Sequence, residues 1–205
     1  MSDDKSYHHE NLRDRLLDEA IAIARKSGAH SLSLREVARR AGVSHMAPYR
    51  HFKDKEALLA AIAERGFNRL SKKLSAVAKP GLSFPEVFEQ MGHAYVQFVL
   101  DSPDTARIMF GGFIGDMDEH TACHEAGMSA FGQLLQLIRT GQDLGYFDKK
   151  HNVEAMGAMI WSQVHGFAML LAENQFDITS IAARDTFREQ INSMVTSVFL
   201  KGLKP

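Results

Sequence analysis

Residues 33–59, SLREVARRAGVSHMAPYRHFKDKEALL, constrain the fold more than any other part of this 205-residue chain. Ser33 carries the short hydroxyl that caps helices, and Glu36, three residues on, is spaced to reach back and complete a capping box. Val37, Ala38 and Ala41 give that helix a small apolar face. Gly42 stands where the chain must turn through the left-handed region, which a residue without Cβ enters at no steric cost. Ser44 offers a cap for a second helix. Pro48 falls within or just after its first turn, where a missing N–H costs least. Two short helices set steeply about a glycine turn make a helix-turn-helix, whose second helix is sized for the major groove of DNA.

Charge supports that reading. The net charge of −1 hides an uneven distribution: residues 1–75 hold 15 Lys and Arg against 10 Asp and Glu, whereas the remaining 130 hold 9 against 15. A basic end on an acidic body suits a chain that meets a polyanion through one end. At 45% hydrophobic and 24% charged residues, the chain can bury a sizeable core. Its single cysteine, Cys123, excludes an intrachain disulfide framework and fits a reducing cytoplasm. No uninterrupted apolar run reaches the ~20 residues of a membrane span, and the opening MSDDKSYHHENLRDR is too polar for a signal peptide. The expectation is a cytoplasmic protein with no membrane partner.

Strand signals are nearly absent, and helical spacing recurs, so the fold class is all-α. Leu12, Leu16, Leu17, Ala20, Ile21 and Ala24 mark a first helix ending before Gly28. Leu58, Leu59, Ile62, Phe67 and Leu70 mark a longer one after the helix-turn-helix, broken at Ala78-Lys79-Pro80-Gly81. Further helices are expected from Val87 to near Ser102-Pro103, over Asp104–Phe110, over Ala122–Leu144 and from an Asn152 cap through Ala172. Gly145 should end the third of these, with Tyr146 and Phe147 folding back over it. Asp177 to Ser180 reads as a break before a last helix.

The run Ser33-Leu34-Arg35-Glu36-Val37-Ala38, then Ala41-Gly42-Val43-Ser44, Tyr49-Arg50-His51-Phe52 and Lys55-Glu56-Ala57-Leu58, resembles the TetR family of bacterial transcriptional regulators. Trp161-x-x-x-His165-Gly166 looks like the Trp-His-Gly signature of one class of TetR-like C-terminal domains. The resemblance implies a three-helix helix-turn-helix DNA-binding domain over residues 1–55, a connecting helix over 56–80, and a helical-bundle effector and dimerisation domain over 81–205. It implies a homodimeric regulator, a repressor released from a palindromic double-stranded DNA operator by a small effector, with no cofactor and no enzymatic activity.

Roles carry over residue by residue. His45, Met46 and Ala47 open the second helix and would meet base edges. His45 can donate to a purine, and Met46 and Ala47 can touch a thymine methyl. Arg50 could reach a guanine or a phosphate. Ser33, Arg35, Tyr49 and His51 resemble phosphate contacts, as does Lys55 through its amide and its charge. Ser44 joins them as the helix cap. Arg39 and Arg40 read as a solvated basic face, and Val37, Val43 and Phe52 as core.

Past residue 84 the chain is rich in Met and aromatics. Met91, Tyr95, Phe98, Met109, Phe113, Phe131, Trp161, His165 and Met169 are candidates to line a cavity for a small, largely apolar effector. Trp161, Phe187, Ile191, Met194, Val198 and Phe199 lie on the last two helices, where apolar surface exceeds what a solvated face needs, and are the expected dimer interface. The alternative is a metal- or redox-responsive sensor: His120 and His124 at i, i+4, with Cys123 between them, have spacing and chemistry that suit a metal. No nucleophile elbow, phosphate loop or paired-carboxylate pattern points to an enzyme.

Overall fold

The computed structural model describes residues 3–176 and 181–204, with side chains described within 12–116, 118–176, 185–191 and 193–204. The expected break at Asp177–Ser180 lies outside the described residues. Among those described there is no strand, and the chain is all-α. The helices are α1 (Asp3–Ser27), α2 (Leu34–Arg40), α3 (Lys55–Ser75), α4 (Phe84–Asp101), α5 (Pro103–Phe110), α6 (Thr121–Asp143), α7 (Val153–Ala172) and α8 (Ile181–Gly202). Single 3₁₀ turns lie at Ala29–Ser31, Pro48–Arg50 and Met117–His120.

The chain gathers into two compact units that are not contiguous in sequence. One comprises Met1–Phe67 with Asp104–Glu125, the other Asn68–Pro103 with Ala126–Pro205. In the first, Leu16, Leu17, Ala20, Ile23 and Ala24 form the buried stripe of α1. They pack on Leu34, Val37 and Ala41, on Phe52, on Leu58, Leu59 and Ile62 of α3, and on Ile108 of α5. Gly28 closes α1 at φ 77°, its N–H donating to Ala24 at 2.8 Å.

In the second unit α4 packs against α7 and α8. Ser83 starts α4: its N–H and its hydroxyl donate to Glu86 Oε2 at 2.8 and 2.6 Å, and these bonds hold the Glu86 carboxyl below its ordinary range. Asn152 caps α7, accepting from Ala155 N at 2.8 Å. α6 ends as expected. Gly145 turns at φ 78°, Tyr146 N donates to Gly141 O at 2.8 Å, and Phe147 folds back to full burial. Tyr146 stacks on Phe84 at 4.7 Å, while Phe147 meets Phe84 and Phe88 edge-on at 5.6 and 5.7 Å.

α7 departs from the sequence reading. Over its 20 residues it is long and apolar enough, by length and composition, to cross a membrane, and 28% of that window is buried within this chain. A search for uninterrupted apolar runs misses it because Glu154, Ser162, Gln163 and His165 punctuate it.

Gly141 supplies a test of packing. A methyl placed on it would lie 2.5 Å from Phe84 Cζ and 2.6 Å from Phe147 Cδ2, both rings being buried. Gly141→Ala should therefore destabilise by about 1–3 kcal/mol through overpacking. Gly132→Ala in the same helix meets nothing within 4 Å and should stabilise by up to about 1 kcal/mol. Denaturant unfolding of both variants checks the pair; equal stabilities would show that the ring cluster yields freely.

Candidate nucleic-acid interface and ligand cavity

The interface is built outward from one turn. Ser33 caps α2, its Oγ accepting from Glu36 N at 3.3 Å. The expected capping box is half formed, because Glu36 turns its carboxylate to Arg39, at 2.8 and 2.6 Å, and that pairing lowers its pKa. Gly42 then takes φ 65°, with Gly42 N donating to Arg39 O and Val43 N to Ala38 O. The Arg15 guanidinium donates to the Ala41 carbonyl and ties this turn to α1.

The second element is not the α-helix expected. Ala47 N donates to Ser44 O at 2.9 Å, Arg50 N to Ala47 O at 3.2 Å and His51 N to Pro48 O at 2.9 Å, so it is a run of tight i→i−3 turns. Pro48 explains this. Without an N–H it cannot donate to Ser44, the α-helical partner of its position. Ser44 accordingly acts through its carbonyl, and no side-chain cap opens the 3₁₀ turn at Pro48–Arg50.

The turns leave a projecting face. Ser33, Arg35, Ser44, His45 and Arg50 are exposed; Met46 is 56% and Tyr49 47% exposed, although both are large and apolar in bulk. Ala47 and His51 are half buried, Pro48 is buried, and the His51 ring lies 6.1 Å from that of Phe52. A cleft of about 430 Å³ joins Ser33, Arg35 and Arg39 of the first element to Val43 and His45 of the second. Two residues differ from expectation. Lys55, the first residue of α3, turns its ammonium to the His30 carbonyl at 2.6 Å. Arg40 pairs with Glu19 at 2.8 Å, so Arg39 and Arg40 are both held in ion pairs. Exposed Lys53, between the turns and α3, was missed because it belongs to no helical pattern.

The second unit contains a partly open cavity whose walls include Phe88, Met91, Tyr95, Trp161, Thr196 and Phe199. One polar chain borders it. The Trp161 side chain hydrogen-bonds Tyr95, and Tyr95 Oη lies 2.8 Å from His165 Nδ1. An indole N–H can only donate, so Tyr95 receives from Trp161. Its own hydroxyl then serves as donor to His165 Nδ1 when the neutral imidazole carries its proton on Nε2. Burial pushes the Tyr95 phenol far above its ordinary pKa and the His165 imidazole below its own. Trp161 also meets Tyr95 and Phe131 edge-on, at 5.2 and 5.4 Å.

Of the expected lining residues, Met91, Tyr95 and Trp161 line the cavity, and Phe131 and His165 contact that lining. Phe98 is buried and Met169 half buried, neither on its walls. Met109 and Phe113 are corrected: both belong to the first compact unit, where Phe113 packs edge-on against His30 at 4.9 Å. Phe199 is corrected as a surface residue. At 3% exposure it faces Phe88 inside its own unit. Phe187 packs against Phe167 and Phe176. Ile191 is half buried, whereas Met194 and Val198 are 62% and 63% exposed, as are Met159 (41%) and Leu170 (47%) on α7, which sequence reading missed.

His120, Cys123 and His124 do not converge. His120 Nε2 faces Glu56 Oε1 at 3.5 Å and His124 Nδ1 faces Asp118 at 3.9 Å. Cys123 is buried, and burial together with the Glu64 charge pushes its thiol up to about 11. Among the described residues no three His, Cys, Asp or Glu side chains group as a metal site.

Two short helical elements about a left-handed Gly42 corner, with His45, Met46, Tyr49 and Arg50 exposed on the second, have the form of a helix-turn-helix. A family model described as "Bacterial regulatory proteins, tetR family" matches residues 16–62. A second, "Tetracyclin repressor-like, C-terminal domain", matches residues 88–194, more than half of the chain. The chain belongs to the tetR family of bacterial regulatory proteins. Over 69 residues it is 39% identical to the HTH-type transcriptional repressor KstR of Mycolicibacterium smegmatis; that match spans 34% of this chain and about a third, 34%, of the repressor. A protein with unknown function from Rhodococcus sp. RHA1 has a similar structure, with a TM-score of 0.79 at 29% identity, over 95% of this chain and 96% of that one. The transcriptional regulator FadR of Bacillus subtilis, solved in complex with stearoyl-CoA, shares the fold at a TM-score of 0.75 and 14% identity, over 92% and 97% of the two chains.

The polar chain predicts a pH dependence. Because the folded state depresses the His165 pKa below its ordinary 6.5, the unfolded chain binds more protons as pH falls. The stability that neutral His165 contributes is complete above about 6.5 and is lost as pH drops through the lower folded value. Melting curves from pH 7.5 to 5 should show wild type losing more stability than His165→Gln, whose amide oxygen still accepts from Tyr95. Identical slopes would place the titrating group elsewhere.

Proposed function

We propose that this chain is a cytoplasmic homodimeric repressor that binds a palindromic double-stranded DNA operator and leaves it when a small apolar effector fills the cavity of the second unit. The observation that carries the DNA-binding part is the exposed turn from His45 to Arg50, raised on a left-handed Gly42 corner. Met46 and Tyr49 are exposed there without any fold-stabilising reason, and Ser33 and Arg35 share a cleft with His45. In this reading His45, Met46 and Ala47 meet base edges, with Arg50 on a guanine or a phosphate. Ser33, Arg35, Ser44, Tyr49, His51 and the Lys55 amide position the backbone. Residues 1–55 then bind DNA, 56–80 connect, and 81–205 take the effector and the second copy.

Dimerisation is supported by the exposed apolar side chains Met159 and Leu170 on α7 and Met194 and Val198 on α8. Two helices from each copy would make a four-helix bundle. The effector is supported by the Met- and aromatic-lined cavity, and by the stearoyl-CoA bound to the FadR relative of similar fold. Repression rather than activation follows KstR, the named repressor whose matching segment is 39% identical. Trp161 and His165, both meeting on Tyr95, are what favours the Trp-His-Gly class. The reading assigns no catalytic residue and no cofactor. The divergent partners of His120, Cys123 and His124 give the metal- or redox-sensor alternative no support.

Selection of bound duplexes from a random pool, followed by titration, tests the DNA reading. The selected sites should be palindromic and binding should weaken steeply with salt. His45→Ala should relax base preference at one position per half-site by roughly 1–3 kcal/mol, whereas Tyr49→Phe should weaken all sequences alike. An unchanged selected sequence for His45→Ala would remove that residue from the reading set. For the dimer, the double variant Met194→Glu, Val198→Glu should sediment as monomer and lose operator affinity, because the two half-sites are no longer linked. A charged variant that still dimerises would move the interface elsewhere.

A further inference from the structure

Two hollows in the second unit share a wall. The inner one, described above, has a volume of about 50 Å³. The outer one, a groove of about 380 Å³, is bounded by the end of α3, the 76–83 connection, α4 and α6. Leu74 and Met91 belong to the lining of both. The inner room as it stands holds one or two waters' worth of space at about 30 Å³ each, far below the roughly 300–1,000 Å³ of a ligand pocket. The outer groove has the volume but is open. Neither alone combines the volume and the enclosure of a ligand pocket.

We infer that Leu74 and Met91 form a gate across one elongated tunnel, and that the effector is a linear amphiphile whose apolar chain passes this gate while its hydrogen-bonding head stays in the outer groove. This rests on the effector reading proposed above. The direction follows from where polar groups are already satisfied. Of the three polar side chains on the inner room's lining, Trp161 bonds Tyr95 and Tyr95 bonds His165 behind it, so an entering polar head would find those partners taken and meet the Thr196 hydroxyl in an otherwise apolar wall, which suits an apolar chain end better. In the outer groove Gln133, Gln136 and Thr140 lie at i, i+3 and i+7 along one face of α6. Thr140 donates its hydroxyl proton to Gln136 O at 3.0 Å, which leaves its oxygen able to accept. The polar lining, Ser75, Gln133, Gln136 and Thr140, is uncharged and offers hydroxyl and amide groups to a hydrogen-bonding head. Leu144, 60% exposed, is the apolar lip.

The gate residues suit their part. Leu74 is buried at the last turn of α3 and fixes one side. Met91 is half buried, unbranched, and turns about three side-chain bonds, so it can swing where a β-branched residue would resist. A polymethylene chain is narrow enough to follow a single displaced side chain; a fused ring system is not.

The test uses the full-length protein with linear carboxylic acids of 6, 12 and 16 carbons, read by the fluorescence of Trp161, the single tryptophan. Affinity should rise with length by up to about fourfold per methylene until the inner room is filled. Met91→Ala should bind the 12-carbon acid at least fivefold tighter, and Leu144→Glu at least tenfold weaker. Leu144 is exposed, so that variant reads the lip without disturbing the core, and melting curves confirm that both variants fold. If the 12-carbon acid binds stoichiometrically and both variants bind it as wild type does, the gate is overturned while the effector reading stands. The gate is overturned in the same way if a compact ring compound shifts Trp161 and releases operator DNA where no linear acid does. If neither linear nor compact apolar compounds bind, the effector reading falls, and the gate with it.

Discussion

The projecting face of the first unit depends on a single left-handed residue and the cation that braces it. Gly42 at φ 65° reverses the chain, and Arg15 reaches from α1 to the Ala41 carbonyl just before it. That carbonyl stands at the C-terminal end of α2, where backbone acceptors have no helical partner and carry the negative end of the dipole. A guanidinium there satisfies the acceptor and opposes the dipole together. A side chain at position 42 would be strained by its backbone conformation, although its Cβ would meet Arg15 Nη2 only in ordinary contact, at 3.5 Å. The corner is thus specified by its left-handed backbone, and the turns that follow inherit their direction from it.

Those turns could not hold themselves. Between Ser44 and Phe52 the backbone makes mostly i→i−3 bonds, which are poorer in geometry than α-helical ones. Buried Pro48 and Phe52 anchor the underside in the core of α1, α2 and α3. The outer side is therefore open, and it carries the exposed side chains Met46 and Tyr49. A surface this apolar, on a segment this short of hydrogen bonds, is what a chain keeps for a partner rather than for stability. The contrast with the second unit is plain. There the Trp161–Tyr95–His165 chain satisfies buried polar groups in full, and an apolar cavity can exist beside it without an unpaired donor.

Legibility followed the length of the pattern. The long helices, with apolar positions repeating three or four apart, are found by periodicity, and Gly28, Gly145 and Asn152 bound them as expected, although α1 begins at Asp3, nine residues before its first marked apolar position, Leu12. Short-range signals did worse. The second reading element looked like an α-helix because Ser44 and Pro48 are good residues for a helix start, yet the missing Pro48 N–H converts it to tight turns. Glu36 had the spacing of a capping box, but the nearby guanidinium of Arg39 took its carboxylate. Of the residues expected to meet DNA, His45, Met46, Tyr49 and Arg50 are exposed. The Lys55 ammonium is diverted to the His30 carbonyl, a contact across 25 residues that no local pattern reveals. The cavity was harder still. Residues 104–125 join the first unit, so Met109 and Phe113 could not be separated from Met91 and Tyr95 by composition. Phe199 and Val198 are neighbours in sequence, but one is 3% and the other 63% exposed, a distinction that belongs to the tilt of α8 on α4.

The surplus of apolar surface on α7 and α8 asks what covers it, and the polar residues among it narrow the answer. On α7, Met159 and Leu170 share the exposed surface with Glu154, Ser162 and Gln163. On α8, Met194 and Val198 lie among Glu189, Gln190 and Ser193. Hydrocarbon would leave those hydroxyl, amide and carboxylate groups without partners, at several kcal/mol each. Water would leave the methionines and the leucine uncovered. A protein surface resolves both demands, since interfaces combine an apolar centre with a polar rim that keeps its hydrogen bonds. In the homodimer proposed above, a second copy would be the partner of matched composition, since self-complementarity under a twofold axis needs one patch to do both jobs. The same axis would turn one exposed turn per chain into two per assembly, so the proposal joins the apolar surplus on α7 and α8 to the turn at residues 45–50.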